Sequence, residues 1–306
     1  MGGLKSYDWG QLIMACGTGK TLVTLWVKEQ LESTTTLVLL PSLNLLSQTL
    51  QEWTKNADVP FEVLNVCSDS TVGKRERSED LEVTEAPFNV TSDVSVISTF
   101  LQLQEPKVIF CTYQSADLIA AAQSQHVIDL MVCDEAHRCA GSAASPFTMV
   151  LDNNALKANK RLFTTATPRI FSPQVSKAAE ERGDVIYGMD DEEVFGPVFY
   201  HYSFGQAIAD GWLSDYQVAI VGVDEPTVMQ YIQDRELFRL SSGETANAED
   251  LAIMIGVLKA TADYDLRRII SFHSRVNAAK NFAQDYLNIF RELEPSKRPS
   301  GSIGAD

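Results

Sequence analysis

Short apolar runs alternate along this chain with longer stretches in which apolar residues recur every three or four positions. The apolar runs lie at residues 36–40, 61–66, 107–112, 130–134 and 161–165. A helix predicted between the first two runs would present one apolar face, which carries Leu43, Leu46, Leu50 and Trp53. Strands that alternate with helices in this way are typical of βαβ units. We therefore predict an α/β fold built on a mostly parallel sheet with helices on both faces.

Two polar stretches interrupt this rhythm. Residues 68–85 are rich in charge, and we interpret them as a solvated surface excursion rather than a binding element. Residues 91–93 predict the N-terminal cap of a helix over residues 94–103. The second polar stretch runs from residue 183 to residue 211 and includes four consecutive acidic residues. We expect it to separate two structural units.

After the second polar stretch the pattern predicts a new α/β unit. Apolar strands are expected at residues 216–223 and 268–272, with a polar helical region between them and an amphipathic helix at residues 276–290. Two strands are too few to close a sheet. We predict a first domain over residues 1–215 and the truncated start of a second domain over residues 216–306.

The composition restricts the class of protein. Of the 306 residues, 45% are hydrophobic and 22% are charged, as is usual for a soluble globular chain. The 25 Lys and Arg residues against 41 Asp and Glu residues give a net charge of -16, so any nucleic-acid contact must be local. No apolar run reaches the ~18 residues of a membrane span, and we expect a cytoplasmic protein. The five cysteines lie mostly in apolar runs and predict buried thiols rather than disulfides.

Residues 14–21 carry a phosphate-binding pattern, Met-Ala-Cys-Gly-Thr-Gly-Lys-Thr, between an apolar run and a helical stretch. This is the strand, loop and helix context that a P-loop requires. Backbone amides at the helix N-terminus would bind the phosphates of ATP, where the helix dipole also favours an anion. Lys20 would reach the β- and γ-phosphates, and the Thr21 hydroxyl would ligate Mg²⁺. The predicted ATP-binding residues are Gly17, Thr18, Gly19, Lys20 and Thr21.

Two acidic residues, Asp134 and Glu135, stand at the end of the apolar run at residues 130–134. The ends of strands in parallel sheets are where ligands bind. Asp134 would hold Mg²⁺ through water, and Glu135 would polarise the attacking water as a general base. Adjacent acids at a strand end otherwise form a solvated turn, an interpretation that the companion P-loop disfavours.

Hydroxyl groups follow the apolar run at residues 161–165. Thr165 and Thr167 could contact His137 and transmit the nucleotide state to a bound strand. Serine and threonine at a strand end are also ordinary turn residues, and that alternative stays open from the residues alone.

The three segments, in this order, resemble the ATPase motifs of superfamily 2 helicases and translocases of the DEAD/DEAH type. Motif I corresponds to residues 14–21, motif II to residues 134–137 and motif III to residues 165–167. The resemblance implies a RecA-like fold that hydrolyses ATP with Mg²⁺. The catalytic residues that it implies are Lys20, Asp134 and Glu135.

The strand-contacting motifs of that family also have counterparts here. In the family these loops touch the nucleic-acid backbone through hydroxyls and main-chain amides, which requires few basic residues and suits an acidic chain. The residues of motifs Ia and Ib that the resemblance implies are Pro41, Ser42, Gln48, Thr112, Tyr113 and Gln114.

Longer stretches make the resemblance closer. Residues 190–200 and 205–216 are most similar to the helicase-like motors of single-chain restriction-modification enzymes, and residues 269–275 resemble motif IV, the opening of a second RecA-like domain. The resemblance implies double-stranded DNA as the partner, in restriction or another defence system. An RNA helicase shares these motifs and is an alternative. A second alternative is a non-catalytic, nucleotide-binding interaction module.

Three features depart from the family pattern. Met14 stands where a P-loop has its first glycine, and Gln11 is too close to the P-loop to be the glutamine that recognises adenine in the family. No arginine-rich motif VI and no motif V follow residue 275. The resemblance therefore implies that the arginine finger comes from the remaining domains of a longer protein or from a partner chain.

Overall fold

The computed structural model describes residues 2–67, 90–222, 248–273 and 275–292. Within these ranges the strands are β1 (Trp9–Met14), β2 (Thr35–Leu40), β3 (Glu62–Val66), β4 (Lys107–Thr112), β5 (Ile128–Asp134), β6 (Gly141–Ser142), β7 (Ala158–Thr165), β8 (Ile186–Tyr187) and β9 (Val198–Tyr202). The α-helices are α1 (Gly2–Ser6), α2 (Lys20–Gln30), α3 (Leu43–Asn56), α4 (Val94–Leu101), α5 (Ala116–Gln123), α6 (Pro173–Glu180), α7 (Glu192–Phe195), α8 (Phe204–Ala209), α9 (Ala248–Asp263) and α10 (Val276–Glu292). Short 3₁₀ helices span Tyr113–Ser115, Ala136–Arg138 and Pro146–Leu151. The surface excursion predicted at residues 68–85 lies outside the described residues.

Seven strands form one sheet in the order β3-β4-β2-β5-β7-β1-β9. Every neighbouring pair in this sheet is parallel, and β6 with β8 forms a separate antiparallel pair. All five apolar runs that predicted strands lie in the seven-stranded sheet, and β1 is the apolar segment before the P-loop pattern. The predicted parallel α/β architecture is confirmed.

Alternating side chains along the central strands supply an apolar core on each face of the sheet. In β2, Leu37 and Leu39 pack on one face while Val38 and Leu40 pack on the other. Helices α1, α2 and α3 cover the face of Val38, and α4 and α5 cover the face of Leu37. Trp53 of α3 is fully buried, so the helix face predicted from apolar spacing is a core face.

Side-chain caps determine where two of these helices begin. The Asp93 carboxylate accepts a hydrogen bond from the Ser95 amide (2.8 Å), which starts α4 at the predicted cap. The Ser42 hydroxyl accepts from the Leu45 amide (3.4 Å) and starts α3 directly after β2. The second cap turns the chain away from the sheet at the carboxyl end of β2.

A buried side-chain amide links β1 to the segment that precedes β9 through two hydrogen bonds. The Gln11 side chain is 1% exposed, and its Nε2 donates to the carbonyl oxygens of Met189 (2.8 Å) and Gly196 (2.9 Å). Gly196 has a left-handed backbone with φ +70°, and a Cβ there would overlap the carbonyl oxygen of Trp9. Because Gly196 has no side chain, the backbone passes close enough to β1 for β9 to pair with it.

The described residues divide into two compact units, one up to Asp215 and one from Tyr216 onward. The second unit contains α9 and α10, and α10 confirms the amphipathic helix predicted at residues 276–290. Its buried contacts include a hydrogen bond between the hydroxyls of Thr261 and Tyr286 (3.3 Å). None of the helices in the described ranges has the length and apolar character needed to cross a lipid bilayer.

The two strands predicted in the second unit are wrong over the residues that the structure describes. Residues 216–222 and 268–272 are not in strands, and neither segment joins a ladder with any described residue. Ile220 and Phe272 are 94% and 92% exposed. An apolar run becomes a strand only when a neighbouring strand supplies its hydrogen bonds, and the local pattern does not provide that neighbour.

Substitution of Gly196 tests how closely the backbone packs on β1. We expect Gly196→Ala to lower the free energy of unfolding by roughly 3 kcal/mol or more, because ~1–2 kcal/mol of left-handed strain adds to an overlap with the Trp9 backbone. Gly183→Ala is the matched control, since Gly183 has φ +76° but no atom within 4 Å of its Cβ position. Denaturant unfolding followed by tryptophan fluorescence measures both variants. Equal losses of stability would contradict the close approach at Gly196.

Candidate active site

Three loops meet at one edge of the seven-stranded sheet. In the sheet β7 lies between β1 and β5, with Ile13 opposite Thr165 and Asp134 opposite Thr164. Because the three strands are parallel, the segments that follow them leave the sheet at the same edge. The edge thus brings together the P-loop pattern, the acidic pair and the threonine segment that the sequence singled out.

The backbone of the loop between β1 and α2 is suited to binding an anion. Gly17 (φ +77°) and Gly19 (φ +88°) are both left-handed, which glycine adopts without strain. The Thr18 hydroxyl donates to the Ala15 carbonyl (2.6 Å) and closes the turn. Helix α2 begins at Lys20, and the first amides of a helix have no acceptor within the helix. These amides can therefore donate to phosphate oxygens at the loop.

Lys20 reaches back across this loop. Its ammonium donates to the carbonyl oxygen of Met14 (3.2 Å). Met14, which stands where the P-loop pattern has its first glycine, is the last residue of β1 and is buried in the core. Positive φ values occur at Gly17 and Gly19 but not at Met14, so this position does not require glycine.

Helix α3 braces the first turn of α2. The indole Nε1 of Trp53 donates to the Thr21 carbonyl (2.9 Å), and the Thr24 hydroxyl donates to the same oxygen (2.8 Å). Two donors on one carbonyl restrict the orientation of the turn that carries Lys20 and Thr21. Trp53 thus supports the N-terminal end of α2 as well as the core.

The Asp134 carboxylate is oriented by a residue that the sequence analysis missed. The Thr164 hydroxyl donates to Asp134 Oδ1 (2.7 Å), and Thr164 is fully buried. The two residues face each other in the register of β5 and β7. Only the pairing of these strands reveals Thr164, because nothing in the local sequence distinguishes it from Thr165.

Glu135 has a left-handed backbone conformation that is rare for a residue with a side chain. Its φ and ψ are +49° and +45°, and the 3₁₀ helix Ala136–Arg138 follows at once. The preceding peptide is held by the Tyr113 hydroxyl, which donates to the Asp134 carbonyl (2.7 Å). Such a conformation costs about 1–3 kcal/mol and persists where the surroundings enforce it, often at functional sites.

His137 links Glu135 to the threonine segment. Its Nδ1 lies 3.3 Å from Glu135 Oε2 and 3.0 Å from the Thr165 hydroxyl. The Thr165 hydroxyl also accepts a hydrogen bond from the Thr167 amide (3.1 Å). The structure therefore brings His137, Thr165 and Thr167 together, with Thr167 contributing its backbone rather than its hydroxyl.

The proposed strand-contacting residues divide into exposed and buried ones. Ser42, Gln48 and Gln114 are exposed, whereas Pro41 is buried. Thr112 and Tyr113 are only 5% and 1% exposed, and their hydroxyls bond to Ser115 (3.0 Å) and to Asp134. Both hydroxyls are engaged inside the protein, so a nucleic-acid contact at Thr112 or Tyr113 would have to use the main chain, and the predicted contact at these residues stays a prediction.

Gln11 and most of the cysteines have structural roles. Gln11 is a core residue that anchors β1. None of the five cysteines forms a disulfide, and four of them are buried, whereas Cys16 in the loop between β1 and α2 is exposed. No group of three or more His, Cys, Asp and Glu side chains that could hold a metal ion occurs among the described residues.

Comparison with known protein families identifies the family to which this chain belongs. The family described as "Type III restriction enzyme, res subunit" matches residues 6–170, which is more than half of the chain and includes all three loops. The chain belongs to this family. The matched residues include the P-loop pattern, the acidic pair and Thr165, which meet at this sheet edge.

Individual proteins are also similar to this chain. The probable helicase A859L of African swine fever virus (isolate Pig/Kenya/KEN-50/1950) is 30% identical over 226 residues, which are 74% of this chain and 23% of that protein. The ATP-dependent Type ISP restriction-modification enzyme LlaBIII bound to DNA is 29% identical, with a TM-score of 0.73, over 94% of this chain and 20% of its own. A nuclease-deletion mutant of the Type ISP enzyme LlaGI, in complex with a DNA substrate mimic, is 27% identical with a TM-score of 0.63, over the same shares.

These similarities confirm the RecA-like fold and the resemblance to superfamily 2 motors of restriction-modification enzymes. The chain spans about a fifth of the length of the relatives that it matches. The family assignment therefore concerns this segment and does not by itself give the activity of a whole protein.

The exposure of Cys16 makes the loop conformation testable by thiol chemistry. We expect a small maleimide to modify the native chain once, at the exposed Cys16. Burial raises the pKa of the Cys111 and Cys133 thiols well above the ordinary value of a thiol, and it raises the pKa of Cys139 to about 12. These thiols therefore do not form the reactive thiolate in the native chain. Mass spectrometry of the intact and digested chain counts and locates the adducts. The other four cysteines should react only after denaturation. Native modification of Cys133 or Cys139 would contradict the buried packing beneath the site.

Proposed function

We propose that this chain is the ATP-binding part of an ATP-dependent motor that acts on double-stranded DNA in a restriction-modification or other defence system. The observation that carries the proposal is the convergence of the P-loop, the Asp134–Thr164 pair and the Glu135–His137–Thr165 contacts at one sheet edge. Membership of the res subunit family supports it.

In this proposal the loop and the first turn of α2 bind the triphosphate. Lys20, which lies against the Met14 carbonyl in this structure, turns to the β- and γ-phosphates. The Thr21 hydroxyl and the Asp134 carboxylate fit Mg²⁺, because this ion takes oxygen ligands and is usually held by one or two carboxylates together with substrate phosphates. When bound, Mg²⁺ neutralises charge on the phosphate oxygens.

Glu135 is the proposed general base for the attacking water. Its left-handed backbone turns the chain sharply after β5, and His137 contacts its carboxylate. His137 in turn contacts Thr165 at the end of the neighbouring strand β7. A change in the contacts of the Glu135 carboxylate can therefore move His137 and, through it, residues 165–167. This is a direct route for coupling ATP hydrolysis to a bound nucleic-acid strand.

Double-stranded DNA is the proposed partner. LlaBIII and LlaGI are described with DNA or a DNA substrate mimic, which supports the choice. The net charge of -16 leaves little room for a broad basic surface, so the contacts are proposed to come from exposed polar groups and amides around Ser42, Gln48 and Gln114.

A second RecA-like domain, which we propose starts at residue 216, would complete the motor. ATP would close the cleft between the two domains, and hydrolysis would reopen it and step the protein along one strand. The arginine finger is proposed to come from the remaining domains of a longer protein or from a partner chain. Absence of such a finger typically costs on the order of 10³- to 10⁵-fold in turnover.

Two substitutions separate nucleotide binding from hydrolysis. We expect Lys20→Ala to abolish measurable Mg-ATP binding, because the cation that contacts the phosphates is removed. Glu135→Gln should keep the ATP affinity while slowing phosphate release by roughly 10²- to 10⁴-fold, the usual contribution of a general base. Titration with a fluorescent ATP analogue and phosphate release with and without duplex DNA measure the two effects.

Matched controls exist for both substitutions. Lys177 is an exposed lysine on α6, and Glu32 is an exposed acid that shares the left-handed backbone of Glu135 (φ +50°). Lys177→Ala and Glu32→Gln should leave ATP binding and phosphate release unchanged. An unaltered ATP affinity in Lys20→Ala would overturn the P-loop assignment. ATP binding without phosphate release in every condition would support an arginine supplied from outside this chain.

The choice of DNA is tested by the salt dependence of binding. We expect duplex DNA to bind more tightly than single-stranded RNA, with a slope of log affinity against log salt no steeper than about -4, because an acidic chain makes few phosphate contacts. Fluorescence anisotropy with labelled oligonucleotides measures both ligands. Tighter binding of RNA would favour an RNA helicase. An absence of binding to either, with ATP still bound, would favour a nucleotide-binding interaction module.

A further inference from the structure

Tyr113 connects two parts of the proposed motor that are separate in sequence. It lies in the 3₁₀ helix Tyr113–Ser115 at the end of β4, in the loop that resembles motif Ib. Its hydroxyl nevertheless donates to the carbonyl of Asp134 (2.7 Å), at the end of β5. The side chain is 1% exposed, so this contact is part of the interior.

The hydroxyl is suited to a permanent role as donor. Burial is the main cause that raises the pKa of Tyr113 well above its ordinary value, so the phenol stays protonated at any physiological pH. The ring is fixed by edge contact with Phe147, at a centroid separation of 5.7 Å. A rigid ring with a protonated hydroxyl holds the Asp134 carbonyl in one orientation.

The orientation of that carbonyl bears directly on Glu135. The Asp134 carbonyl belongs to the peptide that enters Glu135, and rotating this peptide changes the backbone angles on either side of it. Glu135 has the left-handed conformation (φ +49°), which a residue with a side chain keeps only when neighbouring contacts enforce it. Among the described contacts, the Tyr113 hydroxyl is the side-chain donor to this peptide.

We propose that Tyr113 is a positioning residue for Glu135. Its hydroxyl fixes the Asp134–Glu135 peptide and thereby orients the Glu135 carboxylate, the proposed general base. The proposal rests on the function proposed above. It also gives the loop of motif Ib a route to the ATP site, because the exposed Gln114 is the next residue in the chain. A contact made at Gln114 reaches the Glu135 backbone through a single side chain.

Tyr113→Phe tests the proposal, because it removes only the hydroxyl. We expect the ATP affinity to change less than about twofold and kcat for phosphate release to fall by roughly 10- to 100-fold, the range typical of partners hydrogen-bonded behind a catalytic group. A buried tyrosine that acts only by packing would not separate kcat from ATP affinity. Both quantities are measured on the whole chain, with and without duplex DNA.

Amide hydrogen exchange gives a readout that does not require turnover. The amides of Arg138 and Cys139 donate to the carbonyls of Glu135 and Ala136 in the turn after Asp134. In Tyr113→Phe we expect these amides to exchange about five- to tenfold faster, the change that loss of one hydrogen bond produces. Exchange in β4 and β5 should stay unchanged. Faster exchange throughout the first unit, or no change at residues 135–139, would overturn the proposal.

Tyr286→Phe is the matched control. Tyr286 is also buried and its hydroxyl also forms a hydrogen bond, to Thr261, but it lies in the second unit. This variant should alter neither phosphate release nor exchange at residues 135–139. If the unmodified chain fails to bind ATP, the proposed function is wrong, whereas the exchange comparison still decides whether Tyr113 positions Glu135.

Discussion

The register between β5 and β7 is the constraint on which the candidate site depends. It sets Asp134 opposite Thr164 and Cys133 opposite Phe163. Because side chains alternate along a strand, a slip of one residue would turn the Thr164 hydroxyl to the other face of the sheet. Apolar side chains on both faces of the sheet hold the register, so the alignment of the carboxylate is a consequence of core packing.

The features that the sequence predicts correctly are those that depend on neighbouring residues in the chain. The run at residues 107–112 coincides with β4, and the P-loop was recognisable because its glycines and lysine define their own backbone geometry over a few residues. Thr164 and Tyr113 were not recognisable as partners of Asp134. Their roles arise from strand pairing and from packing between residues that are 30 and 21 positions apart, and a single sequence does not display such pairs.

Residue type alone does not decide a role at two further places. The resemblance to motif Ib implies a nucleic-acid contact at Tyr113, but this tyrosine buries its ring and directs its hydroxyl inward. The apolar character of residues 216–223 predicts a strand, but a strand also requires a neighbour, and the described residues 216–222 are not in a strand. In both cases the surroundings that decide the role of a residue lie elsewhere in the chain.

The topology of β1 also affects how the protein is made. Along the chain β1 is the first strand of the seven-stranded sheet, yet its two neighbours there are β7 and β9, the last two strands of that sheet. At ~5–20 residues per second, a ribosome needs on the order of ten seconds to extend the chain from β1 to β7. During this interval β1 has neither of its partners. The candidate active site is therefore completed late in synthesis, because the P-loop pattern after β1 meets the threonine segment only once β7 has been made.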